Sequence, residues 1–399
     1  MSKRKILSAI ACMVFLKGLA FSQGLSAIQN FSADFSAEEP WLWSAGVSVG
    51  YDSLEYDQVT PGIEGFDSSY LNAFVGVART KVDPTTPWKL SADIGAIHYL
   101  SDLAQFDSNF YNSRVAFNIS HQLSARLKIS NNLFVTYASQ PNLAQGATTT
   151  AFGGQYLYGF NNFNVSYAWS QRFSTTTSVT VDGIAYEDEL ISQAEDRLSQ
   201  LVAQQFSYSL TRRASLTAEY RFRNTTYTNA VDRDFQSHFV LGGMDYAWSE
   251  RFAGSFRAGA EFYDSERASN VAPYAEVALN YAVARKTRAQ WFGSLGFDGA
   301  ELANYESRYA LRTGANLSHQ ITKKLAVNTG LQYSFSDFDG GDVIADVVEH
   351  SVLFSAGVSY QVLENLSVDA SYNYSILQSD NSSREFTRNN VSLGLTASF

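Results

Sequence analysis

From Trp41 to Phe399, apolar and polar residues alternate along most of the chain. Trp43, Ala45, Val47, Val49 and Tyr51 share one parity, and Ser44, Gly46, Ser48 and Gly50 share the other. A β-strand has a side-chain period of two, so this pattern gives one apolar face and one small polar face; a helix would scatter both sets around its circumference. The pattern returns at residues 71–77, 90–94, 115–119, 127–135 and 163–169, and more regularly at 216–222, 256–262, 325–335 and 366–376. It ends with Val391, Leu393, Leu395, Ala397 and Phe399 set against Asn390, Ser392, Gly394, Thr396 and Ser398. Less regular segments near 181, 206, 244, 279, 295, 315 and 356 are of the same type. Counting all of them predicts about 18 strands, with 16 also compatible, at roughly 20 residues per strand and connection.

Two kinds of connection alternate. Short, often basic ones include Ser170-Gln171-Arg172, Thr211-Arg212-Arg213, Ser249-Glu250-Arg251, Ala284-Arg285-Lys286 and Ile321-Thr322-Lys323-Lys324. Longer ones, acidic or amide-rich, cover 52–67, 140–154, 187–195, 224–234, 264–270, 298–305, 336–348 and 378–384. Short turns at one rim and long loops at the other are the layout of a transmembrane barrel. An even strand count then brings both ends of the chain to the short-turn rim. A soluble β-sandwich shows the same alternation, but its apolar faces must be covered by a second sheet. Strand length separates the two: about 10 to 14 residues here, against the ~9–11 of a tilted membrane-crossing strand and a mode near 5–6 in globular sheets. Aromatic residues gather near the short-turn ends, at Trp169, Tyr246, Trp248, Tyr281, Tyr360 and Phe399, as an interfacial girdle would. The expected fold is all-β: a single transmembrane antiparallel up-and-down barrel, polar parity toward the lumen and apolar parity toward lipid.

Composition adds the compartment. The 399-residue chain has a net charge of −10, 45% hydrophobic residues, 23 Tyr and 28 Phe but only 6 Pro, a bias toward strands. No stretch of the body approaches the roughly 20 apolar residues of a spanning helix. The start reads as a secretory signal: Ser2-Lys3-Arg4-Lys5 is basic, residues 6–16 are apolar, and Ala20-Phe21-Ser22 offers small residues at a cleavage site. The domain reading is therefore a signal peptide at 1–22, a polar periplasmic lead at 23–40 and the barrel at 41–399. The one cysteine, Cys12, falls in the signal, and Ala9-Ile10-Ala11-Cys12 resembles a lipoprotein box only faintly. Cleavage leaves a mature chain without thiols, which excludes disulfides and cysteine-based sites.

The closing strand carries a resemblance. Alternating apolar residues before a terminal Phe399 resemble the last strand of bacterial outer-membrane β-barrels. The whole pattern is similar to the large porin-like barrels, most of all to the group termed "putative β-barrel porin". The resemblance implies a bacterial outer-membrane location after signal-peptide export, and contact with outer-membrane lipid. It also implies an assembly signal read by the barrel-assembly machinery, for which Tyr372, Leu395 and Phe399 are the candidates. A homo-oligomer is compatible with it, no cofactor is expected, and no catalytic motif defines the group.

The remaining question is chemistry. His98, His121, His238, His319 and His350 are scattered without metal-ligand spacing, and no nucleophile has a recognisable partner, so neither metal nor catalytic residues are expected. Residues 337–342, Asp-Phe-Asp-Gly-Gly-Asp, superficially resemble a calcium loop but lack the length and closing Glu of an EF-hand. No basic patch interleaved with aromatics points to nucleic acid, and no Gly-rich phosphate loop precedes a helix. On the polar parity, Arg114, Lys128, Arg221, Arg223, Arg257 and Arg312 stand against Asp93, Asp182, Glu219, Glu261, Glu276 and Asp369; these are the expected pore-lining residues. The loop at 140–154 has no charged residue, unlike the acidic inward loop of general porins. Arg221 and Arg223 on one strand would favour anions, unless Glu219 and its neighbours neutralise them. A barrel of about 18 strands without a plug leaves an aqueous channel, so passive diffusion of small hydrophilic solutes is the leading expectation. The alternatives are a closed barrel serving structure or surface interaction, such as polysaccharide export or adhesion, and, behind both, a barrel hydrolase.

Overall fold

A computed structural model describes residues 39–57, 65–101, 108–139, 155–266, 269–284, 286–298, 305, 307–341 and 345–399. The expected signal peptide, most of the lead and the loop at 140–154 lie outside the described residues. The strands are β1 (Glu39–Tyr56), β2 (Phe66–Lys81), β3 (Trp88–Tyr99), β4 (Asn109–Gln122), β5 (Leu127–Ala138) and β6 (Tyr156–Ala168). Then come β7 (Phe173–Tyr186), β8 (Arg197–Ser209), β9 (Ala214–Tyr227), β10 (Phe235–Ser249), β11 (Phe252–Ser265) and β12 (Ser269–Ala284). The last are β13 (Thr287–Asp298), β14 (Ser307–Gln320), β15 (Leu325–Asp339), β16 (Val347–Leu363), β17 (Leu366–Ser379) and β18 (Phe386–Ser398). Among the described residues a short α-helix, α1 (Glu189–Glu195), sits between β7 and β8. All strands belong to one 18-stranded sheet in which each pairs antiparallel with its sequence neighbours, and β1 also pairs with β18. The sheet thus closes on itself and leaves no free edge to aggregate.

Closure runs from Ser44↔Ser398 to Tyr56↔Phe386. One step further, Trp43 and Phe399 exchange backbone bonds, Trp43 N–H to Phe399 O at 3.0 Å and Phe399 N–H to Trp43 O at 2.9 Å. Both ends of the barrel therefore lie at the short-turn rim. Trp41, Trp43, Trp169, Trp248, Tyr281, Tyr360 and Phe399 are exposed on the outer wall, and Tyr246 stacks edge-on against Trp248 at 5.0 Å.

The strands are longer than the alternation predicts, 12 to 18 residues. The surplus lies on the loop side. β1 runs to Tyr56 rather than ending before Asp52, β9 to Tyr227 rather than Phe222, and β15 to Asp339 rather than Phe335. At the other end, β1 starts at Glu39, ahead of residue 41. Polar or charged residues at these strand ends look like loop in the sequence, but neighbouring strands supply their partners.

Five of the short turns share a device. Ser124, Ser170, Thr211, Ser249 and Thr322 each accept, through the side-chain hydroxyl, the backbone N–H groups two and three residues on, at 3.0–3.2 Å. The residues two on are Arg126, Arg172, Arg213, Arg251 and Lys324, so the turn signature is Ser/Thr-x-Arg/Lys. A hydroxyl that satisfies two turn N–H groups makes the reversal local. In the β2–β3 turn Asp83 plays this part, accepting from the Thr85 hydroxyl and from the N–H groups of Thr85 and Thr86. Those bonds pull its carboxyl down to about 2.

Outward side chains are apolar, as expected: Val47, Val49, Ile94, Val240, Leu331 and Leu393 are among the most exposed. The inward face departs from expectation. On the loop-side half it carries Leu54, Tyr70, Tyr99, Phe110 and Leu377 in one cluster. Phe134, Tyr156, Tyr158, Phe160, Ile184 and Tyr186 form a second, and Tyr227, Phe235, Tyr263 and Phe297 a third. In the loop-side half these apolar side chains break the polar-inside rule, beside buried polar residues such as Asp52 and Glu349. Inward aromatics there pack on each other, each burial contributing about 1.5–3 kcal/mol. Some rings also fill hollows over glycines of the next strand: the Tyr70 ring lies where a Cβ on Gly50 would be, within 2.3–2.6 Å.

Candidate functional site

The interior wall of β9 to β12 gathers charge. On β9, alternation turns Glu219, Arg221 and Arg223 inward together, and the β11–β12 register sets Arg257 directly opposite Glu276. Arg221 is held from two sides. It donates to Glu219 at 2.6 and 3.1 Å and, through both terminal nitrogens, to Glu276 at 2.8 and 2.9 Å. The Tyr274 hydroxyl also donates to Glu276, at 2.8 Å. Arg257 pairs with Asp245 at 2.8 Å and approaches Glu219 at 3.8 Å. Arg223 pairs with Glu261 at 2.7 Å and lies over the Phe235 and Phe239 rings, 5.3 and 5.2 Å from their centroids. Charges this far from water persist only when paired and hydrogen-bonded, and a fork-shaped guanidinium meets two carboxylates at once. Arg221, Arg223 and Arg257 are thus each matched by at least one carboxylate among Glu219, Asp245, Glu261 and Glu276.

Arg221 and Arg223 are thus paired with carboxylates, the arrangement the neutralised reading expects. The other expected lining residues are dispersed. Asp93 and Arg114 face each other across β3 and β4, and Arg114 also lies 4.3 Å from the centre of the Phe134 ring. Lys128 is exposed opposite Gln122 and Ser166. Asp182 stands opposite Phe160 and Ser199, and Arg312 opposite Ser294 and Ser334. Asp369 accepts from the Ser367 hydroxyl at 3.0 Å.

A second charged group went unanticipated. Asp52, completely buried, takes two bonds from Arg388 at 2.9 and 2.6 Å and one from the Tyr99 hydroxyl at 2.9 Å. Tyr70 donates to Asn390 beside it at 3.1 Å. These residues lie on β1, β2, β3 and β18, so the group spans the closing seam. Parity alone puts Asp52 and Arg388 on the polar face; their meeting follows only from closure. On the loop side, Glu349 is similarly buried and receives Arg384 and the Ser379 hydroxyl.

The histidines are not near carboxylates in any bond given by the structure. His98 bonds Asn109, His121 bonds Thr86, His319 bonds Thr287, and His238 and His350 bond Tyr220 and Tyr333, at 2.7–2.9 Å. All five occupy the outward parity of their strands. Among the described residues, no group of three or more His, Cys, Asp or Glu is placed to hold a metal ion.

Against known families, the model described as "Putative beta-barrel porin 2" matches residues 100–399. Solved structures similar to the chain include Acinetobacter baumannii OccAB4, with a TM-score of 0.47 and 11% identity over 92% of this chain and 100% of that one. A BenF-like porin from Pseudomonas fluorescens Pf-5 gives 0.46 and 10% over 90% and 99%. Pseudomonas aeruginosa OpdK with vanillate gives 0.47 and 9% over 90% and 99%. No curated protein matches the chain.

Proposed function

The chain belongs to the putative beta-barrel porin 2 family, and from that premise we propose that it lets small hydrophilic solutes cross the bacterial outer membrane by passive diffusion. It is a porin-like channel protein, built as a closed 18-strand barrel. The observation that carries the proposed route is the charged interior wall of β9–β12. On that wall Asp245 stays exposed beside its buried neighbours, and a barrel of this strand number is wide enough to hold a water-filled path. With Arg221, Arg223 and Arg257 each paired to a carboxylate, the wall gives no ground for anion preference, and the chain's net charge of −10 favours cations mildly. Purified protein in planar bilayers is expected to give stepwise conductance with a small cation preference. A correctly folded barrel that gives no steps would end the proposal.

A second reading, a closed barrel with a structural or surface role, draws on the inward aromatic clusters of the loop-side half. The same measurement separates the two, since a closed barrel is silent. A hydrolase finds no support in the histidine partners, which are hydroxyls and an amide.

Export through residues 1–22 belongs to the same proposal. So does recognition of Tyr372, Leu395 and Phe399 during assembly. Leu395 and Phe399 are exposed on the outer wall, and Tyr372 is exposed there too, donating to Asn389 at 2.8 Å. Phe399→Ala keeps the backbone exchange with Trp43 and removes only the ring. It is expected to lower the amount of barrel reaching the outer membrane without changing the conductance of those that do. Wild-type amounts in fractionated membranes would count against an assembly role.

A further inference from the structure

The β12–β13 ladder stops at Ala275↔Leu295, although β12 extends back to Ser269 and β13 on to Asp298. On their other sides both strands stay paired, β12 with β11 as far as Asp264↔Ser269 and β13 with β14 as far as Asp298↔Arg308. The two strands therefore part on the loop side while each continues. Extending the register would set Pro273 opposite Phe297.

The cause lies in Pro273. Within an antiparallel ladder, the N–H and C=O of one residue face the same neighbour. The Pro273 carbonyl accepts from the Tyr309 hydroxyl at 2.7 Å, and Tyr309 belongs to β14, beyond β13. That edge of Pro273 thus faces the gap, and it has no N–H to offer there. Phe297 is left without a reciprocal partner, and buried backbone groups must find one. Its N–H donates to Glu261 Oε2 at 2.8 Å, and its carbonyl accepts from Arg223 Nη2 at 2.8 Å. Both side chains rise from the interior face, and Glu261 is completely buried. The backbone of Phe297 is thereby bonded from the interior side, and Cα atoms of β13 come within 8 Å of β11 across β12. Gly296 permits the approach: a Cβ there would lie 2.8 Å from Glu261 Oε2 and 2.6 Å from the Tyr274 ring. The Phe297 ring closes the slot, packing against Tyr263 and Tyr309 with centroids 5.2 Å away in each case.

We propose that this inturned end of β13, latched by Arg223 and Glu261, is a constriction element of the channel, and that Pro273 and Gly296 are the residues that set its width. The proposal rests on the channel reading above. Pro273→Val supplies the missing N–H and lets Phe297 pair in the wall. Gly296→Val forces the strand end away from Glu261. The experiment compares single-channel conductance in KCl, and liposome influx of sugars of graded size, for the unaltered protein and both variants. Each variant is expected to conduct more and to admit larger sugars. If the unaltered protein does not conduct, the channel reading itself falls. If it conducts and the assembled variants match it in conductance and size limit, the constriction is overturned and the channel stands. Gly296→Val keeps the question answerable should Pro273→Val fail to assemble.

Discussion

Asp52→Ala is expected to destabilise the folded barrel by about 3–5 kcal/mol, the range for removing one partner of a buried ion pair. Arg388 would lose both of its bonds to the carboxylate, and the Tyr99 hydroxyl its acceptor, in a place where Asp52 is wholly buried. The loss falls on the closing seam, so it acts on the one pairing that turns a sheet into a cylinder. The temperature at which the detergent-solubilised barrel loses its compact migration on an SDS gel should drop clearly. An unshifted transition would show that the seam is held by its backbone ladder alone. Replacing both partners, as Asp52→Leu with Arg388→Met, is expected to recover much of the loss. No uncompensated charge then remains, and buried pairs often exchange for apolar ones at little net cost.

Arg221→Ala should have a comparable effect on stability and a second effect on transport. Glu219 and Glu276 would lose the guanidinium that bonds them both, again costing about 3–5 kcal/mol. The cluster would become more negative by one charge, so the reversal potential across a KCl gradient should move toward that of a more cation-selective channel. Arg221→Lys tests geometry apart from charge. It keeps the cation but cannot bond Glu219 and Glu276 in two forked pairs, so it should hold selectivity near the original while recovering only part of the stability. If Arg221→Ala leaves the reversal potential unmoved while conductance persists, the β9–β12 wall lies off the conduction path.

Much of this wall was legible in the sequence because Glu219, Arg221 and Arg223 share one parity of one strand, which needs only the period of two. Glu261 and Glu276 were legible by the same parity, but which arginine each meets, and the part of Asp245, needed the registers of neighbouring strands, which alternation does not give. The Asp52–Arg388 pair was hidden for two reasons. The residues stand 336 positions apart, and Asp52 looked like the first residue of an acidic loop. The inward aromatics were missed through an assumption about sign. Apolar residues were assigned to lipid, but in Tyr156-Leu157-Tyr158 both faces are apolar, so parity cannot say which one is inside. The parting of β12 and β13 did have a signal, a proline in the middle of a strand, since such a residue belongs to an edge or an irregularity.

The hydroxyl-capped turns bear on how the barrel is built over time. Each adjacent pair of strands from β1 to β18 is joined by a connection short enough to close at small entropic cost, and the costs grow only slowly with length. Hairpins held by Ser124, Ser170, Thr211, Ser249 and Thr322 can therefore form early and independently, on the microsecond scale of isolated hairpins. One seam has no such help. β1 must find β18 with the whole of the remaining chain between them, which makes it the pairing of highest contact order and the natural last event. The Asp52–Arg388 pair, which exists only after that event, should then slow unfolding when strengthened while leaving the earlier hairpin steps untouched.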